Sequence, residues 1–147
     1  MQPKEILLVF CDGGARGNPG PAAAACVIFD RAGKKRYLCG KYLGVTTNNQ
    51  AEYAAVELAL RVIKENYQDK RQINFHLDSK LVANQLGGLY KVKEPSLRNL
   101  LLKIRELESY RGEIYYQYVA REENKEADRL VNRVLDEKRD FSEILSS

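Results

Sequence analysis

A chain of 147 residues, 44% hydrophobic and 30% charged, has the size of one ordinary domain and the make-up of a globular protein, which excludes a multi-domain machine. No apolar run nears the roughly 20 residues that cross a bilayer, so a membrane-spanning role is excluded as well. Lys plus Arg number 24 against 20 for Asp plus Glu, a formal charge of +4 that favours polyanionic partners without requiring them. The start, Met1-Gln2-Pro3-Lys4-Glu5, lacks the basic-then-apolar pattern of a secretion signal, and a cytoplasmic location is expected. The three cysteines, Cys11, Cys26 and Cys39, form no C-x-x-C pair and read as buried thiols. With one histidine, His76, neither a Cys/His zinc site nor a Cys-His nucleophile is expected.

Residues 5–11, nearly all apolar, predict a strand buried on both faces that ends at Asp12-Gly13-Gly14. The turn-rich loop Ala15-Arg16-Gly17-Asn18-Pro19-Gly20-Pro21 follows, then a second strand over 22–29, a turn over 30–33 and a third strand over 34–43. From Asn48 to Tyr67 apolar residues recur at helical spacing, with Asn48 or Asn49 as N-cap. Ile73–Leu77 reads as a short strand ending at Asp78, and Ser79 caps a helix through Leu86 that Gly87-Gly88 stops. Pro95-Ser96 opens another helix with a leucine-rich stripe. A fifth strand spans 113–119, and a last helix runs from Asn124 to about Lys138. The final nine residues, 139–147, are expected to fray, leaving one domain with a core at about 5–136. Strands first and alternating helices and strands later argue for an α/β sandwich on a mixed sheet.

Four carboxylates stand where elements begin or end: Asp12, Glu52, Asp78 and Asp128. An acid that ends an apolar strand is half buried and must find a cation, and no Lys or Arg lies obviously beside Asp12 or Asp78. If the first and fourth strands are parallel neighbours, their C-terminal ends meet at one edge, where several carboxylates would bind a hard cation such as Mg²⁺. The plainer alternative makes them turn aspartates and acids complementing helix dipoles. The glycine-rich loop after the first strand fits neither nucleotide-binding spacing.

In order and spacing, Asp12-Gly13-Gly14-Ala15-Arg16-Gly17-Asn18-Pro19-Gly20-Pro21, Thr46-Thr47-Asn48-Asn49-Gln50-Ala51-Glu52, Leu77-Asp78-Ser79 and Asn124-Lys125-Glu126-Ala127-Asp128 resemble the type 1 ribonuclease H family over about residues 5–136. The resemblance implies a ribonuclease H-like fold, with a five-stranded mixed sheet of order 3-2-1-4-5 and helices on both faces. It implies hydrolysis of the RNA strand of RNA/DNA hybrids, leaving 5′-phosphate and 3′-hydroxyl ends. Two Mg²⁺ ions are implied, with Mn²⁺ as a substitute: Asp12 would bridge them, Asp128 would complete the water-activating site, and Glu52 and Asp78 would hold the ion on the leaving-group side. Phosphodiester attack needs an activated water, a neutralised phosphate and a stabilised leaving oxygen, all of which a metal pair about 3.5–4 Å apart supplies.

By family position Ala15, Gly17, Asn18, Asn48 and Asn49 would face the minor groove, where amides and backbone groups can read a 2′-hydroxyl, and Thr47 would hold a DNA phosphate. Asn48 and Asn49 could equally be helix caps alone. Lys80 stands where the family often has a groove-reading Gln. The basic protrusion of some members is replaced by Gly87-Gly88-Leu89-Tyr90-Lys91-Val92-Lys93-Glu94-Pro95, and their loop histidine is missing from Val119-Ala120-Arg121-Glu122-Glu123-Asn124. Arg121 is the candidate to take over phosphate contact, a solvated charge being the alternative. His76, two residues before Asp78 and expected on the same face, is given a structural or solvent-facing role. The expected partner is an RNA/DNA hybrid, with double-stranded RNA a further candidate, and the expected state is a monomer. A non-catalytic hybrid- or double-stranded-RNA-binding module and a DNA-cleaving nuclease on the same fold are the alternatives.

Overall fold

The structure, a computed structural model, describes residues 6–146; the readings made on Met1–Glu5 and Ser147 lie outside them. Its elements are β1 (Leu7–Ala15), β2 (Gly20–Asp30), β3 (Lys35–Thr46), α1 (Asn48–Asn66), β4 (Ile73–Leu77), α2 (Lys80–Leu86), α3 (Pro95–Glu108), β5 (Ile114–Tyr118), a short 3₁₀ turn (Arg121–Glu123), α4 (Lys125–Glu137) and β6 (Phe141–Ser146). They build one sheet of order β5-β4-β1-β2-β3-β6, in which β1–β4 and β4–β5 run parallel and the other pairs antiparallel. The expected order 3-2-1-4-5 is present, with a sixth strand added at the β3 edge.

That strand corrects the reading of a frayed tail and of a core ending near 136. Gly40 makes room for it, since a side chain there would overlap the Phe141 ring and stand 2.5 Å from Val134. Phe141 then packs beside Val134 and Leu38, and the Arg133 guanidinium lies 4.1 Å from the centre of its ring. Lys138 turns the chain out of α4 in the left-handed conformation (φ 54°). Glycine or asparagine normally announces such a turn in a sequence, and a lysine does not.

The sheet divides two apolar layers. On one face α1 and α3 cover Leu7, Val9, Cys11, Ile28, Ile73 and Phe75; on the other, Leu130, Val131 and Val134 of α4 cover Ala23, Ala25, Val27 and Leu38. All three cysteines are buried free thiols.

β1 is longer than expected. Asp12, Gly13, Gly14 and Ala15 stay paired with Ala25, Ala24, Ala23 and Ala22 of β2, whereas the β4 ladder stops at Cys11↔Leu77. Asp12 therefore lies inside a strand, at the point where β1 loses its parallel neighbour. The cap of α1 also differs: Thr47, not Asn48 or Asn49, accepts a hydrogen bond from the Gln50 N–H (3.2 Å), and the Gln50 side chain accepts one from the Thr47 N–H (3.3 Å). This reciprocal box satisfies two otherwise orphaned donors. Asn48 and Asn49 fall within the first turn, so neither serves as the cap.

Candidate active site

A cleft of about 360 Å³ opens at the C-terminal ends of β1 and β4, and Asp12, Glu52, Asp78 and Asp128 all line it. Each arrives from a different element. β1 carries Asp12, Asp78 follows the last residue of β4 and precedes Ser79, the N-cap of α2, and Asp128 lies in the first turn of α4. Glu52 comes from α1, which rests on β1 because Gly13 has no side chain: a Cβ there would overlap the Ala51 backbone and stand 2.5 Å from the Glu52 nitrogen. Glu52 is the fifth residue of α1, and the first turn holds no acid. The helix dipole falls off beyond that turn and does not account for this carboxylate.

The four groups repel one another. Burial, then the charges of Asp78 and Asp128, push Asp12 up to about 8, helped by a hydrogen bond to Asp128 that exists only when one of the two is protonated and by the charge of Glu52. Burial and Asp78 raise Glu52 to about 7 against the opposing pull of Ser79 and Arg121. Asp78 is raised by burial and by Asp128, while Asn124 and Arg121 pull it down. Among the described residues no three His, Cys, Asp or Glu side chains are drawn to a point as a ready cage; the carboxylates share a cleft rather than a centre. Four hard oxygen donors held together against their own repulsion fit a divalent cation of the Mg²⁺ class.

Arg121, in the 3₁₀ turn before α4, also lines the cleft. Asn124 belongs to the site as well, although its place in the N-x-x-A-D motif marks it in the sequence only as a helix start. It is 1% exposed; its Nδ2 donates to the Cys11 carbonyl at 2.8 Å, and it hydrogen-bonds Asp78. One side chain thus joins the start of α4 to β1 and to the end of β4. Its Oδ1 is buried without a partner.

Three of the expected substrate-facing positions form a chain: the Ala15 N–H donates to Asn48 Oδ1 (2.8 Å), and the Asn48 N–H donates to Asn18 Oδ1 (3.0 Å). Both bonds use amide oxygens, leaving the NH₂ groups out of the network. Gly17 provides the left-handed residue of the same loop (φ 94°). Thr47 is engaged as the helix cap, Asn49 is half-buried beside Asn48, and Lys80 is the exposed first residue of α2; none of the three lines the cleft. His76 lies apart from it, stacked on Phe10 at 4.4 Å, with Nδ1 3.1 Å from the Val9 carbonyl. β4 ends at Leu77, and Asp78, the next residue, lines the cleft whereas His76 does not.

The profile of the family described as reverse transcriptase-like matches residues 10–134. Ribonuclease HI of Halobacterium salinarum is 38% identical over 128 residues, 87% of this chain and 63% of that protein. A bifunctional protein of Mycobacterium tuberculosis is 36% identical over 132 residues, 88% of this chain and 35% of that one. The chain thus spans less than two thirds of these curated relatives. Among solved structures, LC11-RNase H1 in complex with an RNA/DNA hybrid superposes with a TM-score of 0.84 at 37% identity, over 90% of this chain and 98% of that one. The N-terminal RNase H domain of the Mycobacterium tuberculosis protein superposes with a TM-score of 0.81 at 34% identity, over 90% and 95%.

Proposed function

The chain belongs to the ribonuclease H family, and we propose that it is an endonuclease that hydrolyses the RNA strand of RNA/DNA hybrids, leaving 5′-phosphate and 3′-hydroxyl ends. The observation that carries this reading is the meeting of Asp12, Glu52, Asp78 and Asp128 in one cleft beside the Ala15–Asn48–Asn18 network. These four carboxylates would hold two Mg²⁺ ions, or Mn²⁺ in their place. When bound, such a pair supplies an activated water, neutralises the phosphate and stabilises the departing 3′ oxygen.

The chain's own groups do the rest. Asn124 ties the segments bearing Asp12, Asp78 and Asp128 into one frame, so that none of the carboxylates relaxes outward under mutual repulsion. Arg121 offers a two-pronged donor to the reacting phosphate, a holding role suited to a guanidinium rather than a proton-carrying one. The Asn18 and Asn48 amides and the backbone at Ala15 and Gly17 face the minor groove, where donors and acceptors recognise the 2′-hydroxyl. Thr47 would hold a DNA phosphate, Asn49 would face the minor groove with Asn48, and Lys80 would reach the hybrid from outside the cleft. All four carboxylates lie on one chain, which supports reading the active unit as a monomer. Cytoplasmic action belongs to the same proposal, because hybrids arise where nucleic acid is transcribed and copied. Among the described residues no helix is long and apolar enough to cross a membrane.

Matched RNA/DNA, RNA/RNA and DNA/DNA duplexes incubated with Mg²⁺ test the reading. Cleavage of the hybrid's RNA strand is expected. Binding of hybrid or of double-stranded RNA without cleavage would make the chain a recognition module, and cleavage of DNA a different nuclease.

A further inference from the structure

The α4 wall of the cleft holds a cation that the four carboxylates do not explain. Arg16, in the loop after β1, lines the cleft together with Asn132. Its Nη2 contacts Asp136 Oδ1 at 2.7 Å and Asn132 Oδ1 at 3.4 Å. Asp128, Asn132 and Asp136 are spaced four apart on α4 and so form one stripe along the helix. Arg16 therefore sits over the same stripe that presents Asp128 to the cleft, one and two turns further on.

Both contacts use a single terminal nitrogen. Three more N–H donors remain on Nε and Nη1 of the guanidinium, whose side chain is 48% exposed, with Asp136 at 66%. A pair this open to water contributes little to stability, so its geometry is better explained by what it presents than by what it holds together. Arg121 is near Glu52 and Asp78, and Arg16 is the other cation lining the cleft, on the side of α4. A phosphodiester backbone crossing these carboxylates meets strong negative potential and needs a cation on either side.

We propose that Arg16 is a substrate-positioning residue that grips a backbone phosphate of the strand lying across the carboxylates, held in readiness by Asp136 and Asn132. The inference rests on the ribonuclease H reading and adds a second phosphate grip to it. Asp136 orients the guanidinium in the free protein and yields to the phosphate when the duplex arrives. Because Asp136 is itself an anion near the incoming backbone, removing its charge does not weaken binding.

Hybrid binding by the full chain, measured with Ca²⁺ over a range of salt concentrations, and steady-state cleavage with Mg²⁺ test this. Arg16→Ala should weaken hybrid binding and raise KM about ten-fold, with kcat little changed, as for loss of one charged hydrogen bond made equally in the ground and transition states. Its log affinity against log salt should be shallower by about 0.9, the loss of one phosphate contact. Arg16→Lys should keep the slope and lose part of the affinity. Asp136→Asn should bind as tightly as the unaltered chain or more tightly. If Arg16→Ala and Asp136→Asn instead weaken binding alike with no change of slope, Arg16 is only a strap between loop and helix and the proposal fails. A fall in kcat at constant KM overturns it too. An unaltered chain that binds no hybrid at any salt overturns both this and the ribonuclease H reading, whereas one that binds and cleaves with an Arg16-independent slope overturns this alone.

Discussion

Gly13 of β1 lies against Ala51 of α1 with no room for a side chain between them, because an added Cβ would overlap the Ala51 carbonyl group. This contact sets the height of α1 above the sheet and hence the reach of Glu52 to Asp12. Gly13→Ala should push the helix away, costing about 1–3 kcal/mol by overpacking. Cleavage should fall much further than stability, since a displacement of about 1 Å at a reacting centre can cost 10²-fold. A melting curve and a hybrid-cleavage assay on the same preparation separate the two effects. Equal activity per folded molecule would show that Glu52 tolerates the shift.

Asp12→Asn should abolish cleavage and leave the fold intact, with a Tm in metal-free buffer slightly above that of the unaltered chain. The reason is repulsion: Asp12 is buried among three other acids, and the side-chain hydrogen bond that bears on it is one shared with another of them, Asp128. A loss of several kcal/mol, the mark of a broken buried ion pair, would mean that its carboxylate serves the fold.

The same crowding sets a pH dependence. Asp12 at about 8 and Glu52 at about 7 stand above their ordinary values of 3.8 and 4.5, so between those limits the folded chain binds more protons than the unfolded one. Stability without metal therefore falls as pH rises through this window and levels off above about 8. Divalent cations compete with these protons and bind better as they leave. Melting without metal should occur at lower temperature near pH 9 than near pH 5, and added Mg²⁺ should raise Tm more at the higher pH. A Tm that climbs with pH in metal-free buffer would contradict the assigned repulsion.

The C-terminal strand gives a test of packing. Phe141 fills the space above Gly40 and beside Val134, so Phe141→Ala should cost about 2 kcal/mol or more while leaving the cleavage rate of the folded enzyme near its original value. A neutral result would return the tail to the frayed state that its sequence suggested.

Why that strand escaped the sequence, while the carboxylates did not, has a physical answer. Asp12, Glu52, Asp78 and Asp128 each stand at a visible change of pattern, with apolar periodicity on one side and turn formers on the other. Phe141-Ser142-Glu143-Ile144-Leu145 has too few residues to show a period, and its partner, the gap over Gly40, exists only after β3 and α4 have packed. The continuation of β1 past Asp12 is hidden in the sequence for a related reason. Glycines at 13 and 14 read as a turn, yet here they let a helix approach a continuing strand. Asn124 looked like a helix start, and only its long-range bond to the Cys11 carbonyl reveals a second task. Arg16 reads as an ordinary loop cation until α4 brings Asp136 beneath it.

The arginine before α4 and the lone histidine give the last prediction. Arg121 lines the cleft near Glu52 and Asp78, whereas His76 is outside it, stacked on Phe10. Because the Val9 carbonyl can only accept, the His76 Nδ1 that meets it at 3.1 Å carries the proton, which fixes the ring's tautomer and leaves it a structural task. A guanidinium lost from beside the reacting phosphate should lower kcat by roughly 10- to 1000-fold, with little change in hybrid affinity. His76→Ala should keep turnover within a few-fold and lose stability through the stack and the bond to Val9. Single-turnover cleavage at saturating enzyme compares the two variants directly. If His76→Ala is the slower, proton transfer reaches the site through the sheet, and Arg121 is a bystander at its rim.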